Sequence, residues 1–406
     1  MNQSRKSSNN YNILFLASTF PWPLKVGLSN RVYASAIYLA RRHRVTIYGL
    51  SKYSAAASTP DERISSYFDR IRVFPITRRE KIRRSICSPL SHLPWRVSGF
   101  QSIRLKNAIS ADLTDTYWDI VYAVDSNMAP YALSIPSRLT AIDFADAYSR
   151  YWKSILPFSP IILRPLIYIE YLRMLSFERE IYRRADRCFI ASPVDRDFIS
   201  GDEDRRKWTI LPNTIDTNHF SFQPPPRNHN LIFVGRMSYL PNKQAALRLG
   251  REIMPGIIRR FPDAVLFLVG SNPPPEIMAL DNGSSIRVTG AVDKVLPYLR
   301  NSEALLCPLS LGTGTRFKVL EAMAAGIPVI SSNTGCEGIP VTADENIIIA
   351  ETNEQFIDAT CNLFKSPGMG REISRRGRQL AEDKYSQDET GISLEEGLNL
   401  TGGADN

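Results

Sequence analysis

The chain has 406 residues, 43% of them hydrophobic and 22% charged, which fits a soluble protein of two or three domains with sizeable cores. Its formal charge of +9 suits an anionic partner such as a phosphorylated small molecule or an acidic membrane face. The cysteines, Cys87, Cys188, Cys307, Cys336 and Cys361, form no C-x-x-C pair and the four histidines have no metal spacing, so a disulfide framework and a zinc site are excluded.

The first ten residues are polar and carry no apolar signal region. No apolar run reaches the roughly 18 residues that a membrane span requires. Reduced thiols and the absence of a leader predict a cytoplasmic protein. Residues 12–17 (NILFLA) then read as a buried strand, and 29–42 have apolar side chains at helical spacing. Further strands are expected at 45–50, 71–75, 119–124, 139–144, 187–191 and 208–213, with helical segments between most of them. Strand–helix alternation of this kind predicts a mainly parallel sheet covered by helices on both faces.

The stretch 223–230 (QPPPRNHN) interrupts the pattern, because consecutive prolines continue neither a helix nor an inner strand. A hinge is expected near it. Beyond it the alternation resumes, with strands at 231–234, 264–269, 286–289, 304–307, 327–331 and 346–350. Helices are expected at 242–261, 293–301, 315–325, 354–365 and 370–384. The domains are therefore 1–222, 223–386 and a C-terminal helix and tail, 387–406, packing back on the first domain. Two α/β halves of this kind bind ligands beyond the carboxyl ends of their strands.

The most informative segment is 305–339, LLCPLSLGTGTRFKVLEAMAAGIPVISSNTGCEGI. A strand ends at Cys307, a loop Gly312-Thr313-Gly314-Thr315 follows, a helix runs to Ala325, and Gly326 is a C-cap. Glycines let backbone N–H groups approach a ligand, and a helix N-terminus adds unpaired donors and partial positive charge. Arg316 and Lys318 add full charges, and Glu321 is an acceptor for ribose hydroxyls. An ordinary strand-to-helix turn explains the glycines alone but not that combination.

In these residues the sequence resembles the family 4 glycosyltransferases, and within them the bacterial exopolysaccharide-type sugar transferases that carry G-T-R-x-K-x-L-E-A-M-A-x-G-x-P-V and a following G-x-E-G. Both stretches are present, at 314–329 and 335–338. The resemblance implies the GT-B fold, an α/β architecture of two Rossmann-like domains whose parallel sheets face each other across a cleft. It implies a retaining transferase that moves a sugar from a nucleotide-diphosphate sugar to a glycan or lipid-linked acceptor. The donor is a substrate, and no metal or other cofactor is expected. Donor binding is implied for Gly27, Arg236, Gly314, Thr315, Arg316, Lys318 and Glu321, with Arg236 and Glu321 also in catalytic roles. Arg236 follows Phe233-Val234-Gly235, as the family's diphosphate-binding arginine does. Lys243 stands near a family lysine but follows Pro241-Asn242, as in a subgroup without it.

The segment 143–149 (DFADAYS) resembles a D-F-x-D-x-x-S element of the same transferases. Asp143 and Asp146 read either as catalytic carboxylates that bind sugar hydroxyls or activate the acceptor, or as a helix N-cap pair. Asn213 and Asp216, in a turn resembling P-N-G-V-D, read as Asx-stabilised turn residues. The sequence departs from the family in two places. Thr313 stands where a glutamate is common, and Val124 or Asp125 where a histidine is. These departures keep two rivals in view, a catalytically inactive nucleotide-binding scaffold and a GT-B nucleotide-sugar epimerase, the latter weakened by the scarcity of histidine.

Two basic stretches, 78–84 and 163–177, mix arginine or lysine with apolar residues. An anionic membrane surface is a further expected partner there. A solvated face at the first and a buried helix at the second are the simpler reading. Nucleic acid, supported by net charge alone, is not expected.

Overall fold

The computed structural model describes residues 10–22, 28–51, 62–86, 92–114, 116–314 and 316–400. Two compact units emerge: Met1–Thr214 with Thr390–Asn406, and Ile215–Glu389. The crossing lies at Thr214 and Ile215, and the proline run 223–230 belongs to the second unit.

The first unit is built on a seven-stranded sheet in the order β3-β2-β1-β4-β5-β6-β7. The strands are β1 Asn12–Ala17, β2 Arg44–Ser51, β3 Arg70–Pro75, β4 Trp118–Val124, β5 Ser137–Asp143, β6 Arg187–Ile190 and β7 Trp208–Ile210. All neighbours are parallel. Helices cover both faces, so the inner strands are apolar on both sides. Along β1, Ile13, Phe15 and Ala17 enter one core, while Leu14 and Leu16 enter the other. The C-terminal helix Gln387–Gly397 reaches this unit. Its Leu394 and the following Leu398 are buried in the core that holds Phe15 and Phe189. Glu395 accepts a hydrogen bond from the Tyr38 hydroxyl at 3.0 Å.

The helix Arg164–Arg184 divides along its length. Its first half leaves large apolar side chains in solvent, among them Leu166, Ile169 and Leu172. A wholly buried helix over 163–177 is thus ruled out. Helical spacing specifies a stripe but does not say what covers it. Glu170, within the first half, is buried, and the second half is anchored by the buried Glu178, Ile181 and Tyr182.

The second unit has a six-stranded parallel sheet in the order β10-β9-β8-β11-β12-β13. Its strands are β8 Asn230–Val234, β9 Val265–Val269, β10 Ile286–Gly290, β11 Ala304–Cys307, β12 Val329–Ser331 and β13 Ile348–Ile349. One continuous core fills it. The helix expected over 242–261 forms as Leu240–Arg248 and Met254–Arg260 joined by a π-helical stretch, Leu249–Ile253. Pro255 accounts for the irregularity: it lacks an N–H and its ring clashes with the carbonyl one turn earlier. The helix after the glycine loop is Phe317–Ala325, closed by Gly326 in the left-handed conformation at φ 87°.

Candidate functional site

In the second unit, β11 ends at Cys307, and the chain turns through Gly312 (φ 115°) and Gly314 (φ 80°) into the helix Phe317–Ala325. A Cβ on Gly312 would lie 3.0 Å from Arg316 Nη2, so the loop and the guanidinium need that glycine to pack together. The N-cap, Arg316, is extended and its side chain makes no capping bond. Among the described residues, no side-chain cap competes for the first N–H groups of the helix.

Arg316 is 9% exposed, and its Nη1 donates to the carbonyl of Thr313. Its Nε and Nη2 are buried with no hydrogen-bond partner among the described residues. Unsatisfied buried donors on a permanent cation are costly, and an anion supplied from outside would satisfy them. Lys318, half-buried, donates from Nζ to Asn242 Oδ1 at 2.7 Å and lies 4.1 Å from the ring centre of Phe233. Asn242 donates in turn to the Arg236 carbonyl at 3.1 Å. This bridge requires Gly235, since a Cβ there would stand 2.6 Å from Asn242 Nδ2 and 3.0 Å from Lys318 Nζ. The Arg236 side chain is exposed, its Nε donating to Ser238 Oγ at 3.0 Å. Burial, assisted by the Arg316 charge, lowers Lys318 to about 8, although Cys307 and Glu321 pull the other way. Burial raises Glu321 to about 7 against the opposing pull of Lys318.

A second polar cluster lies in the first unit at the carboxyl ends of β1, β4 and β5. Asp143, wholly buried, holds Arg31 with two bonds of 2.7 and 2.8 Å, and accepts from the Tyr122 hydroxyl at 3.1 Å and from Ala145 N–H at 3.0 Å. Arg31 also donates to the Leu211 carbonyl at 2.8 Å and to Asn213 Oδ1 at 3.2 Å. Burial works against the Arg31 charge, and Asp143 more than offsets it. Asp125 follows β4 at φ 81°, a conformation that non-glycine residues rarely adopt. It accepts from Ser18 Oγ at 2.5 Å and from Asn127 at 2.6 and 3.1 Å. Arg96 stacks 3.7 Å from the ring centre of Tyr148, whose hydroxyl donates to Asp125 Oδ2 at 3.3 Å. Asp146 is half-buried beside them.

Three comparisons now bear on the chain. Residues 228–366 match the family model described as "Glycosyl transferases group 1". The second unit thus carries a glycosyl transferases group 1 domain, and the chain is a glycosyltransferase. An uncharacterised 44.6 kDa protein from the cps region of Klebsiella pneumoniae is 25% identical to it over 343 residues, 80% of this chain and 84% of that protein. The phosphatidyl-myo-inositol mannosyltransferase of Mycobacterium tuberculosis H37Rv is 26% identical over 132 residues, 30% of this chain and 34% of that enzyme. Among solved structures, Anabaena HepE in complex with UDP and glucose superposes with a TM-score of 0.68 at 12% identity, over 96% of this chain and all (100%) of that one. WaaG, a glycosyltransferase involved in lipopolysaccharide biosynthesis, gives 0.65 at 17% identity over 96% and 100%. The fold is GT-B, with two Rossmann-like units.

Of the residues expected at the transferase site, Gly27 and Thr315 lie outside the described residues. Arg236, Gly314, Arg316, Lys318 and Glu321 all belong to the second unit, and Asn242 links two of them. Asp143 differs from expectation. Its oxygens are taken by Arg31, Tyr122 and Ala145, so it is neither an open carboxylate nor a helix cap. The helix Tyr148–Ile155 is capped by Glu178, which accepts from the Tyr148 N–H at 2.8 Å. Asp216 does form an Asx turn, accepting from Asn218 and His219 N–H groups, whereas Asn213 serves Arg31. Lys243 pairs with Glu276. Sequence reasoning missed Asn242 as a bridge; the only signal was Gly235, whose lack of a side chain makes room for it. It named Asp125 only as the residue in a histidine's place.

Proposed function

We propose that the glycosyltransferase moves a sugar from a nucleoside-diphosphate sugar to a glycan or lipid-linked acceptor, with retention of anomeric configuration, in polysaccharide or glycoconjugate synthesis. The observation that carries this reading is the pair of buried Arg316 nitrogens, Nε and Nη2, that no described residue partners, beside a helix N-terminus that no described side chain caps. Arg316, Lys318, Arg236 and the helix N–H groups would receive the diphosphate and stabilise the charge that grows on it as the sugar leaves. Gly27, Gly314 and Thr315 would offer backbone donors. Glu321 would accept from the ribose hydroxyls. These cationic side chains supply the neutralising charge, so the reading needs no resident metal. Asp146 and Asp125, at the strand ends of the first unit, would contact the acceptor or the donor sugar. Asp143 would fix Arg31 behind them as a positioning residue. HepE, solved with UDP and glucose, and the cps-region relative support a nucleotide-sugar donor and a polysaccharide product. Buried unpaired thiols at Cys188 and Cys307 agree with a cytoplasmic site of action, and a lipid-linked acceptor would meet the enzyme at the anionic face of a bilayer.

The test is a thermal-shift panel of nucleotides on the purified chain, followed by turnover of the matching nucleotide sugar. Stabilisation by one nucleoside diphosphate and release of that diphosphate from its sugar are expected. No stabilisation by any nucleotide would sink the reading. Stabilisation without turnover would leave a nucleotide-binding scaffold.

The pH dependence of binding follows from two shifted groups. Glu321, raised to about 7, is neutral below that pH and a weaker acceptor. Lys318, lowered to about 8, loses its charge above that pH. Affinity for the nucleoside diphosphate should therefore peak between the two values and fall by up to about tenfold per pH unit on either side. Calorimetric titrations across the neutral range check this. Glu321→Gln should remove the acid limb and Lys318→Arg the alkaline one; a flat profile in the unsubstituted protein would contradict the assignment.

A further inference from the structure

The helix Arg164–Arg184 and the 3-10 turn before it, Ile161–Leu163, carry apolar surface that no described residue covers. Ile161 and Ile162 at the tip are 79% and 85% exposed. Ile162, Leu166, Ile169 and Leu172 follow at helical spacing and are also exposed, and Phe158 extends the patch on the other side of the turn. Scattered surface apolar residues need no explanation, but a contiguous stripe of large aliphatic side chains marks an interaction face.

Its charge is one-sided. Between residues 156 and 177 the only acidic residue is Glu170, which is fully buried and accepts from the Arg96 N–H at 3.4 Å. The exposed Arg164 donates to the backbone carbonyls of Ser159 and Pro157 at 3.1 and 2.8 Å, which satisfies the turn without neutralising the guanidinium. The helix Trp95–Gly99, which holds Glu170 in place, packs against the basic helix Arg78–Ile86, where Arg78, Arg79, Ile82 and Arg83 are exposed. An apolar tip rimmed by cations complements an anionic bilayer, where the aliphatic side chains enter the acyl boundary and the arginines remain among the phosphates. A second copy of the chain would bring the same cationic rims face to face.

We propose that the 3-10 turn Ile161–Leu163 and the first half of the helix Arg164–Arg184 form a wedge that inserts into an anionic membrane surface. The second half of the same helix ends at the site. Glu178, which burial raises to about 8, accepts from the N–H groups of Tyr148 and Ser149 and so fixes the end of the 143–149 loop that bears Asp146. Docking thereby holds that loop at a set height above the bilayer. The purpose of the wedge, presentation of a lipid-linked acceptor, rests on the proposed function; the membrane contact itself does not.

The experiment is flotation of the full chain with vesicles of equal parts phosphatidylglycerol and phosphatidylcholine, beside vesicles of phosphatidylcholine alone. The protein should float with the first and lag with the second. Ile161→Asp with Ile162→Asp should weaken flotation by about 100-fold, while the melting temperature and nucleotide stabilisation stay as in the unsubstituted chain. Leu166→Ser is a milder second variant should the double substitution fail to fold. Unsubstituted protein that stays at the bottom, or variants that float equally well, overturn the proposal. So does a dimer in vesicle-free buffer that the substitutions convert to a monomer, since the face would then belong to a second copy. Flotation without any nucleotide stabilisation supports the wedge while removing the transferase reading.

Discussion

Replacing Arg316 with methionine is expected to weaken nucleoside-diphosphate binding by about 100-fold or more while leaving the ligand-free melting temperature unchanged or slightly raised. The two effects share one cause. In the free protein the buried Nε and Nη2 have no partner among the described residues, and each such donor costs about 1–3 kcal/mol. Methionine fills much of the same space without that cost, at the loss of one bond to the Thr313 carbonyl. With a diphosphate bound, the same two donors would make charge-assisted bonds of about 1.5–3 kcal/mol each, and 1.4 kcal/mol is about one decade of affinity. Melting curves with and without ligand, together with calorimetry, separate the terms. A variant that binds as tightly as the parent would remove Arg316 from the phosphate site. One that melts far below it would make the guanidinium a structural group.

The largest stability effect is expected at Asp143. Asp143→Asn leaves Arg31 buried beside a neutral partner, and breaking a buried pair costs about 3–5 kcal/mol. In a unit of this size that corresponds to a fall in melting temperature of about 10 °C. Arg31→Met with Asp143→Leu should recover part of the loss, because two apolar groups leave no unpaired charge; the Leu211 carbonyl and Asn213 still lose their donor. A double-mutant cycle in thermal unfolding isolates the pair. If Asp143→Asn melted with the parent yet failed in turnover, the carboxylate would act on substrate and the positioning role would be wrong.

Much of this architecture is legible in the sequence because inner parallel strands are continuous apolar runs. The runs at 12–17 and 304–307 coincide with β1 and β11. The glycine loop and the helix after it are legible for a related reason: positive φ and a C-cap demand glycine, and Gly312, Gly314 and Gly326 supply it. Pairings between distant segments are not legible. Nothing local to Asp143 announces Arg31, which lies 112 positions away, and nothing near Tyr148 points to Glu178 as its cap. Asn242 looks like an ordinary first-turn residue until Gly235 and Lys318 are seen around it. The exposure of Ile162 and Leu166 is hidden for another reason, since a stripe facing protein and a stripe facing lipid have the same period.

The return of the chain's end to the first unit has a consequence for synthesis. Leu394 and Leu398 complete a core whose other members, from Ile13 to Leu211, leave the ribosome much earlier. The second unit, Ile215–Glu389, intervenes as roughly 175 residues, which take on the order of 10–35 s to translate at typical rates. For that interval the nascent first unit holds its sheet with an open patch near Phe189, which a Cβ on Gly397 would strike at 2.3 Å once the tail has closed over it. Vectorial folding of this chain therefore ends with its beginning, and a nascent chain stalled before Thr390 presents that patch to chaperones.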